Sequence, residues 1–322
     1  MKNFQDEYDG FFKELQVLNF SPLSIAKYQR CIQMLLDWLR KNEVTGLNRV
    51  GSQEMKDYYD VLSKNPKYSV HYVVSNVYAI KRFFGYLKKN GLILYDFSVV
   101  LKAPNTKHIL PPPPLTQEEV IKMMEAPDLR TPLGMRDRAI LETFYSSGLR
   151  VSEMANLALM ELNLKDGLLF VKEGKGRKDR QVPLGQYAVF FIKAYLEDVR
   201  PFLAEKNKQA GGEVCNRLWL NRRGRPMVRQ DIIFMVRYLR KKVGIQKQVS
   251  PHSFRRTVGV EMIRNGADFL AVKELLGHSR SQVTMRYLTL SGVDLTEALK
   301  KSHPRYDVDS PEDEMSKITR LY

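Results

Sequence analysis

The chain has 322 residues, and its 52 lysines and arginines outnumber its 36 acidic residues to give a formal net charge of +16. This length is sufficient for two domains that each bury a core, and the positive charge favours a polyanionic partner because neutralised phosphates release counterions. Charge alone also fits a ribosomal or otherwise merely basic protein. Asp6, Glu7 and Asp9 stand where a signal peptide needs an apolar run, and no stretch approaches the roughly 18 apolar residues of a membrane span, so we expect a soluble cytoplasmic protein.

The two cysteines, Cys31 and Cys215, fall in different predicted domains. This placement argues against a disulfide framework and against a cysteine metal cluster. We therefore expect a reduced protein with no structural metal.

Residues 1–102 predict a helical domain of four helices. Ser21 and Pro22 give the second helix a capping side chain and a first-turn proline, a third helix follows Gly51, and a fourth spans about 69–89 before Gly91 ends it. The residues expected to face the core keep helical spacing: Phe4, Phe11, Phe12, Leu15, Ile25, Tyr28, Ile32, Leu35, Leu39, Val73, Val77, Ile80, Phe84 and Leu87.

Three basic residues of this domain lie off the apolar faces: Arg30, Lys81 and Arg82. Such residues can contact phosphates of a bound nucleic acid. A solvated charged helix face explains them equally well, and both interpretations remain open at this point.

Residues 103–114 form a predicted linker that ends in four consecutive prolines. A proline run cannot continue a helix and favours extended polyproline geometry. Immediately after it, Leu115 and Val120 can form a hydrophobic staple around a capping box of Thr116 and Glu119. We therefore expect a second domain over residues 115–322.

The second domain predicts helices with a small antiparallel sheet. Apolar helices over 135–160 turn at Gly148 and carry Arg150, with Glu153 one helical turn further on, where it forms either a support for the guanidinium or a plain surface ion pair. The remaining predicted elements are strands at 167–171, 180–183 and 218–220 and a helix at 230–243.

Residues 250–290 carry the most informative pattern. His252 and Arg255 lie three apart at a predicted helix start, so their side chains share one face and can address one phosphate together. A second short helix is capped by Asp268 and ends at Gly277, which His278 follows directly. Nine residues later comes Tyr287. Taken singly, His252 fits a capping or core residue and His278 a helix-end residue.

Three stretches resemble the conserved motifs of the tyrosine site-specific recombinases, the phage-integrase and Xer-like family: Tyr145 to Glu153, Val171 to Leu184 and His252 to Tyr287. The matching residues occur in the family's order: Arg150, Lys175, His252, Arg255, His278 and Tyr287, with Glu153 beside the first arginine. The resemblance covers nearly the whole chain and is weakest over the first hundred residues and the last fifteen. The glycine-flanked Lys175 has competitors nearby in Lys172, Arg177 and Lys178, because hairpin register cannot be fixed from sequence.

The resemblance implies a tyrosine nucleophile. A phenol with a pKa near 10 needs a proton acceptor and an activated electrophile, so Tyr287 would attack a phosphodiester whose growing charge Arg150 and Arg255 neutralise. His278 would donate a further hydrogen bond, His252 would accept the tyrosine proton or donate, and Lys175 would protonate the leaving sugar hydroxyl. Energy stored in the phosphotyrosine ester makes ATP and metal ions unnecessary, so we expect no cofactor.

The family further implies a mainly α fold with a small antiparallel sheet, arranged as a two-domain C-shaped DNA clamp of a helical core-binding domain and a mixed α+β catalytic domain. The reaction would form a 3′-phosphotyrosine and a Holliday junction on double-stranded DNA with inverted half-sites, within a homotetramer and with possible accessory proteins. Additional DNA contacts are expected from Arg177 and Lys178, and the protein would associate with the nucleoid.

Two departures from the Xer-like pattern bear on the biological role. Arg256 follows Arg255 where many relatives carry histidine, and Thr257 begins a segment that replaces the usual small-residue run. We interpret this as favouring the recombinase of a mobile element over an Xer-type chromosome dimer resolvase.

Two rival functions share parts of the same pattern. A type IB topoisomerase-like or telomere-resolving enzyme would use the same tyrosine chemistry but would cut and rejoin DNA without exchanging partners between two sites. A DNA-binding accessory protein would keep the fold without catalysis, and the complete set of catalytic residues argues against that second rival.

Overall fold

The chain forms two compact units, Met1–Pro111 and Pro112–Tyr322, so the division falls inside the predicted linker. Among the described residues, no helix is both long and apolar enough to cross a membrane. The structure is a computed structural model that describes residues 4–106, 112–172, 179–213 and 215–277.

The first unit contains the four predicted helices and two additional short 3-10 turns. Local capping fixes where two of the helices begin, because Ser21 Oγ accepts from the Ser24 N–H at 3.2 Å and Ser69 Oγ accepts from the Tyr72 N–H at 3.2 Å. The helices are α1 Gln5–Val17, α2 Pro22–Lys41, α3 Ser52–Lys64 and α4 Val70–Lys89, and the 3-10 turns are Leu47–Arg49 and Phe97–Val100.

The core of the first unit contains most of the residues that helical spacing predicts to face inward. Of the fourteen residues expected to face inward, all except Ile25 and Tyr28 are buried, and these two pack against the core from its edge. Aromatic rings link α1 to α4, with the Phe11 and Phe83 centroids 5.2 Å apart in an edge-to-face arrangement. Helical spacing therefore predicted the inward-facing positions of α1, α2 and α4 correctly, apart from the two at the edge.

The second unit is mostly helical around a three-stranded antiparallel sheet, as predicted. Its strand order is β1-β2-β3, and Val171 of β2 pairs with Arg180 of β3 at the end of the hairpin next to its connecting loop. The elements are α5 Gln117–Glu125, α6 Pro132–Ser147, α7 Val151–Asn156, a 3-10 turn Leu159–Glu161, β1 Leu162–Asn163, β2 Leu168–Val171, β3 Arg180–Pro183, α8 Gln186–Ala194, a π-helical turn Tyr195–Val199, α9 Arg200–Gln209, α10 Arg229–Lys242, α11 Pro251–Arg264 and α12 Phe269–Leu276.

The prediction of a strand at 218–220 is wrong. The third strand of the sheet is β1, whereas this apolar stretch makes isolated backbone contacts with loops: the Leu218 N–H donates to the Leu157 carbonyl at 2.8 Å, and the Met227 N–H donates to the Trp219 carbonyl at 2.9 Å. Trp219 is fully buried. Leu218 and Leu220 on either side of it are also buried. A short run of buried apolar residues occurs both in strands and in buried loops, so the sequence pattern could not tell them apart.

The end of the predicted linker is fixed to the second unit. Arg256 Nη1 donates to the Pro112 carbonyl at 2.7 Å, and Lys247 Nζ donates to the Pro114 carbonyl at 2.7 Å. The Leu115 N–H donates to Thr257 Oγ1 at 2.8 Å. Prolines lack an N–H but keep their carbonyl acceptors, so the last prolines are held through those carbonyls by α11 and the segment before it.

Candidate active site

The site begins where α6 ends at Gly148. This glycine has φ +59°, in the left-handed region, and a Cβ added there would lie 2.6 Å from Leu276 Cδ2. Only glycine satisfies both conditions. The ends of α6 and α12 are therefore in close contact. Arg150 follows Gly148 two residues further along the chain.

Arg150 is held by its own helix and by α12. Its Nη1 donates to Glu153 Oε1 at 2.5 Å, its backbone N–H donates to Glu153 Oε2 at 2.8 Å, and its Nη2 donates to the Gly277 carbonyl at 2.6 Å. The side chains of Arg150 and Glu153 are 22% and 10% exposed. The interpretation as a plain surface ion pair is therefore wrong, because this pair is largely withdrawn from solvent.

Glu153 has a second arginine partner, Arg180. The sequence predicted this residue as part of a strand and not as part of the site. Arg180 Nη2 donates to Glu153 Oε2 at 3.0 Å, Nη1 donates to Oε1 at 3.3 Å, and Nε donates to the Leu275 carbonyl at 3.2 Å. Burial raises the pKa of Glu153, but the hydrogen bonds from Arg180 and Arg150 and the charge of Arg180 outweigh this effect and leave the pKa below its ordinary value. The sequence held one indication that Arg180 points inward. Side chains alternate between the two faces of a strand, which puts Arg180 on the same face as the buried Val182.

Arg255 and His252 occupy the first turns of α11 in different environments. Arg255 is 2% exposed, and its Nη1 donates to the Gly148 carbonyl at 2.6 Å while its Nη2 donates to the Leu276 carbonyl. His252 is exposed. Partial desolvation, followed by the charges of Arg255 and other nearby guanidiniums, lowers the pKa of His252 from its ordinary value. The shared helix face thus presents an imidazole at the surface and a guanidinium beneath it.

Several predicted site residues lie outside the described residues: Lys175, Arg177, Lys178, His278 and Tyr287. The described chain stops on either side of the hairpin tip, at Lys172 and Asp179, and at Gly277, which directly precedes His278. The exposed competitor Lys172 lies 3.8 Å from Glu161, measured from Nζ to Oε1.

The candidate DNA contacts of the first unit differ from one another. Arg30 is exposed and Lys81 is half-buried. The guanidinium of Arg82 lies over the ring of Phe20, with its carbon 4.6 Å from the ring centroid. Arg82 therefore covers an aromatic side chain at the start of α2 while keeping its charge near the surface.

The chain is similar to known proteins over most of its length. The sequence model described as the phage integrase family matches residues 113–292. Tyrosine recombinase XerC of Oceanobacillus iheyensis is 33% identical over 300 residues, which cover 92% of this chain and 95% of that protein.

Solved structures share the fold at low sequence identity. The integrase of the transposon Tn1549 in complex with a circular intermediate DNA gives a TM-score of 0.69 at 15% identity and covers 98% of this chain and 99% of that one. A lambda integrase tetramer bound to a Holliday junction gives a TM-score of 0.63 at 16% identity and covers 86% of this chain and 78% of that one.

These likenesses, together with the arginine and glutamate arrangement at the meeting of α6, α7, α11 and α12, define the class as DNA strand-transferring enzymes. The chain belongs to the phage integrase family of tyrosine recombinases, and its activity is site-specific DNA recombination.

Proposed function

We propose that this recombinase cuts DNA by attack of the Tyr287 hydroxyl on a phosphodiester, forming a 3′-phosphotyrosine and releasing a 5′ hydroxyl. The observation that carries the proposal is the convergence of Arg150 and Arg255 on the carbonyls of Gly277 and Leu276, directly before His278. Two guanidiniums beside a histidine are the donors that the transition state of phosphoryl transfer requires. The ester keeps the energy of the phosphodiester, so a hydroxyl from another strand can reverse the reaction.

The two arginines would neutralise the charge that grows on the nonbridging oxygens. Arg255 donates to two neutral carbonyl oxygens, and Arg150 donates to one carbonyl oxygen and to the Glu153 carboxylate. Hydrogen bonds from arginine to a charged phosphate are shorter and stronger than those to a neutral acceptor. Arg255 is covered, so phosphate binding at that residue requires its surroundings to open and its carbonyl contacts to be exchanged for phosphate contacts.

His252 suits the part of proton acceptor in this scheme. Its lowered pKa keeps the imidazole neutral at pH 7, with a nitrogen available to accept the tyrosine proton. His278 would add a hydrogen bond to a phosphate oxygen, and Lys175 would protonate the leaving 5′ oxygen. Arg30, Lys81, Arg82, Arg177 and Lys178 would contact the DNA backbone, which requires positive charge but no base-specific geometry.

We further propose that residues 1–102 form a core-binding domain and residues 115–322 the catalytic domain of a DNA clamp. Four protomers would act on paired inverted half-sites through a Holliday junction, in association with the nucleoid. We place the protein on a mobile element because Arg256 and the segment that begins at Thr257 depart from the Xer-like pattern.

Chromosome dimer resolution is the second candidate, favoured by the 33% identity to a XerC protein across 92% of the chain. Supercoiled plasmids that carry either the repeats flanking the coding region or a chromosomal dimer-resolution site distinguish the two roles. Recombinant product from the flanking repeats alone supports the mobile-element role, and product from the chromosomal site alone supports dimer resolution. Relaxation of any plasmid without recombinant product would instead indicate a topoisomerase-like activity.

The proposed nucleophile is tested by Tyr287→Phe. The variant should bind a site-containing duplex with wild-type affinity and form no covalent adduct that survives denaturing electrophoresis, because phenylalanine lacks the attacking oxygen. The exposed Tyr238→Phe provides a matched control with the same loss of one hydroxyl, and it should keep the adduct. An adduct formed by the Tyr287 variant would show that another residue is the nucleophile.

A further inference from the structure

We propose that Arg180 is a positioning residue that holds the catalytic Arg150 in place through Glu153 and links it to the hairpin that carries Lys175. This inference rests on the proposed function, because it assigns Arg180 a part in the same phosphoryl transfer. Arg180 is not among the residues that the resemblance marks as catalytic in this chain. Its side chain is 8% exposed, less than that of Arg150 at 22%.

Three successive carbonyls at the end of α12 each accept a hydrogen bond from a different arginine. The Leu275 carbonyl accepts from Arg180 at 3.2 Å, and the Gly277 carbonyl accepts from Arg150 at 2.6 Å. The carbonyl between them, that of Leu276, accepts from Arg255. The last carbonyls of a helix lack intrahelical partners and carry partial negative charge, which makes them suitable acceptors for cations.

Glu153 joins two of these arginines. Both of its carboxylate oxygens accept from Arg180, at 3.0 and 3.3 Å, while Oε1 also accepts from Arg150 Nη1 and Oε2 from the Arg150 N–H. A carboxylate held by two planar guanidiniums has little freedom to rotate. Without Arg180, Glu153 loses one of its two arginine partners, and Arg150 loses the rigidity of its support.

The strand position of Arg180 adds the link to the hairpin. Arg180 is the first residue of β3, and it pairs across the sheet with Val171, the last residue of β2. The segment between them contains Lys175, the proposed acid for the leaving oxygen. Arg180 therefore pairs at the start of the loop that carries Lys175, and it also binds the Glu153 carboxylate that contacts Arg150.

Loss of Arg180 should slow DNA cleavage by an amount that depends on the charge of the scissile phosphate. Arg180 acts through Arg150, whose proposed part is to neutralise the nonbridging oxygens. A methylphosphonate at the scissile position replaces one nonbridging oxygen by a neutral methyl group and so needs less neutralisation. Loss of Arg180 should therefore matter on a phosphodiester and matter far less on a methylphosphonate.

The test compares Arg180→Gln and Arg180→Lys with the wild-type protein in single-turnover formation of the covalent adduct. On a phosphodiester we expect adduct formation by Arg180→Gln to slow by about 10- to 100-fold, below the 10²- to 10³-fold typical of removing a direct transition-state donor. On a methylphosphonate duplex the loss should shrink to within about threefold of wild type, following the same reasoning. Arg180→Lys keeps a positive charge near Glu153 but has fewer hydrogen-bond donors. Its rate of adduct formation on the phosphodiester should therefore lie between those of the wild type and Arg180→Gln.

Arg138 provides the matched control because it makes the same kinds of contact away from the site. Its Nε donates to Glu142 Oε1 at 2.8 Å and its Nη1 to the Met124 carbonyl at 2.7 Å, and the side chains of Arg138 and Glu142 are 16% and 10% exposed. Arg138→Gln should form the adduct at the wild-type rate per folded molecule on both duplexes, with circular dichroism and DNA affinity measured for every variant.

Each result decides between distinct conclusions. Wild-type adduct rates for both Arg180 variants would overturn the inference. An equal loss on the phosphodiester and the methylphosphonate would also overturn it, because a merely structural role does not depend on phosphate charge. If Arg180→Gln does not fold, the lysine variant carries the same comparison. Failure of the wild-type protein to form any adduct would overturn the proposed function, a result separate from either of these.

Discussion

Replacing Glu153 by glutamine should destabilise the second unit without changing the shape of the side chain. Glu153 forms ion pairs with two guanidiniums whose side chains are 22% and 8% exposed, those of Arg150 and Arg180. Removing one partner of a buried ion pair costs about 3 to 5 kcal/mol because it leaves an uncompensated charge. We expect the lower end, about 3 kcal/mol, since both arginines keep a carbonyl acceptor on α12.

The same substitution should change how stability depends on pH. The pKa of Glu153 lies below its ordinary value of 4.5 in the folded protein, so the carboxylate contributes stability above about pH 4.5 that is lost as the pH falls through the lowered folded value. The wild-type protein should therefore exceed Glu153→Gln in stability by the full amount at pH 7. The difference should narrow as the pH falls below 4.5.

Tryptophan fluorescence can isolate the relevant unit. The chain has two tryptophans, of which Trp219 is buried in the second unit and Trp38 lies in the first. In a Trp38→Phe background, urea unfolding followed by fluorescence reports on Trp219 alone. The control Glu261→Gln removes a more exposed ion pair with Arg264 in the same unit and should cost less than about 0.5 kcal/mol. A loss below about 1 kcal/mol for Glu153→Gln would refute the reasoning about buried charge.

Three further outcomes follow from the site and the charge of the chain. Lys175→Ala should abolish cleavage of a normal duplex and regain it when the 5′ bridging oxygen is sulfur, a leaving group that needs little protonation; rescue of a Lys172 variant instead would reassign the acid. Gly148→Ala should cost about 2 kcal/mol in the same unfolding assay, because alanine disfavours φ +59° and its Cβ meets Leu276, and a change within about 0.5 kcal/mol would contradict this. The logarithm of DNA affinity should fall steeply and linearly with the logarithm of salt concentration in a filter-binding titration, whereas a flat response would contradict binding through phosphates.

Sequence predicted where the capped helices begin, because those starts are set by neighbouring residues, but it did not predict α8 and α9. Ser21 caps a backbone N–H three residues away, and Thr116 and Glu119 cap each other over the same separation. Arg180 escaped prediction because its partners lie far along the chain, 27 residues from Glu153 and 95 residues from Leu275. The strand predicted at 218–220 failed for a related reason, since its backbone partner Leu157 belongs to a distant loop. Pattern alone does not specify such pairings.

The two arginine motifs of the site hold each other. Arg150, beside the end of α6, donates to the Gly277 carbonyl at the end of α12, and Arg255, on the helix before α12, donates to the Gly148 carbonyl at the end of α6. These contacts span 127 and 107 residues, so neither motif positions its arginine alone.

This reciprocal arrangement also leaves the guanidiniums with a net positive charge. Carbonyl oxygens orient a guanidinium without neutralising it, whereas each carboxylate would cancel one positive charge. Glu153 lies between Arg150 and Arg180, and its single negative charge can balance only one of those two guanidiniums. A phosphate that gains negative charge on attack is stabilised by such an excess, because fixed cations in a partly buried site need no reorganisation during the reaction. The helix-end carbonyls thus fix the geometry of the arginines and leave their positive charge available for the phosphate contact that we propose.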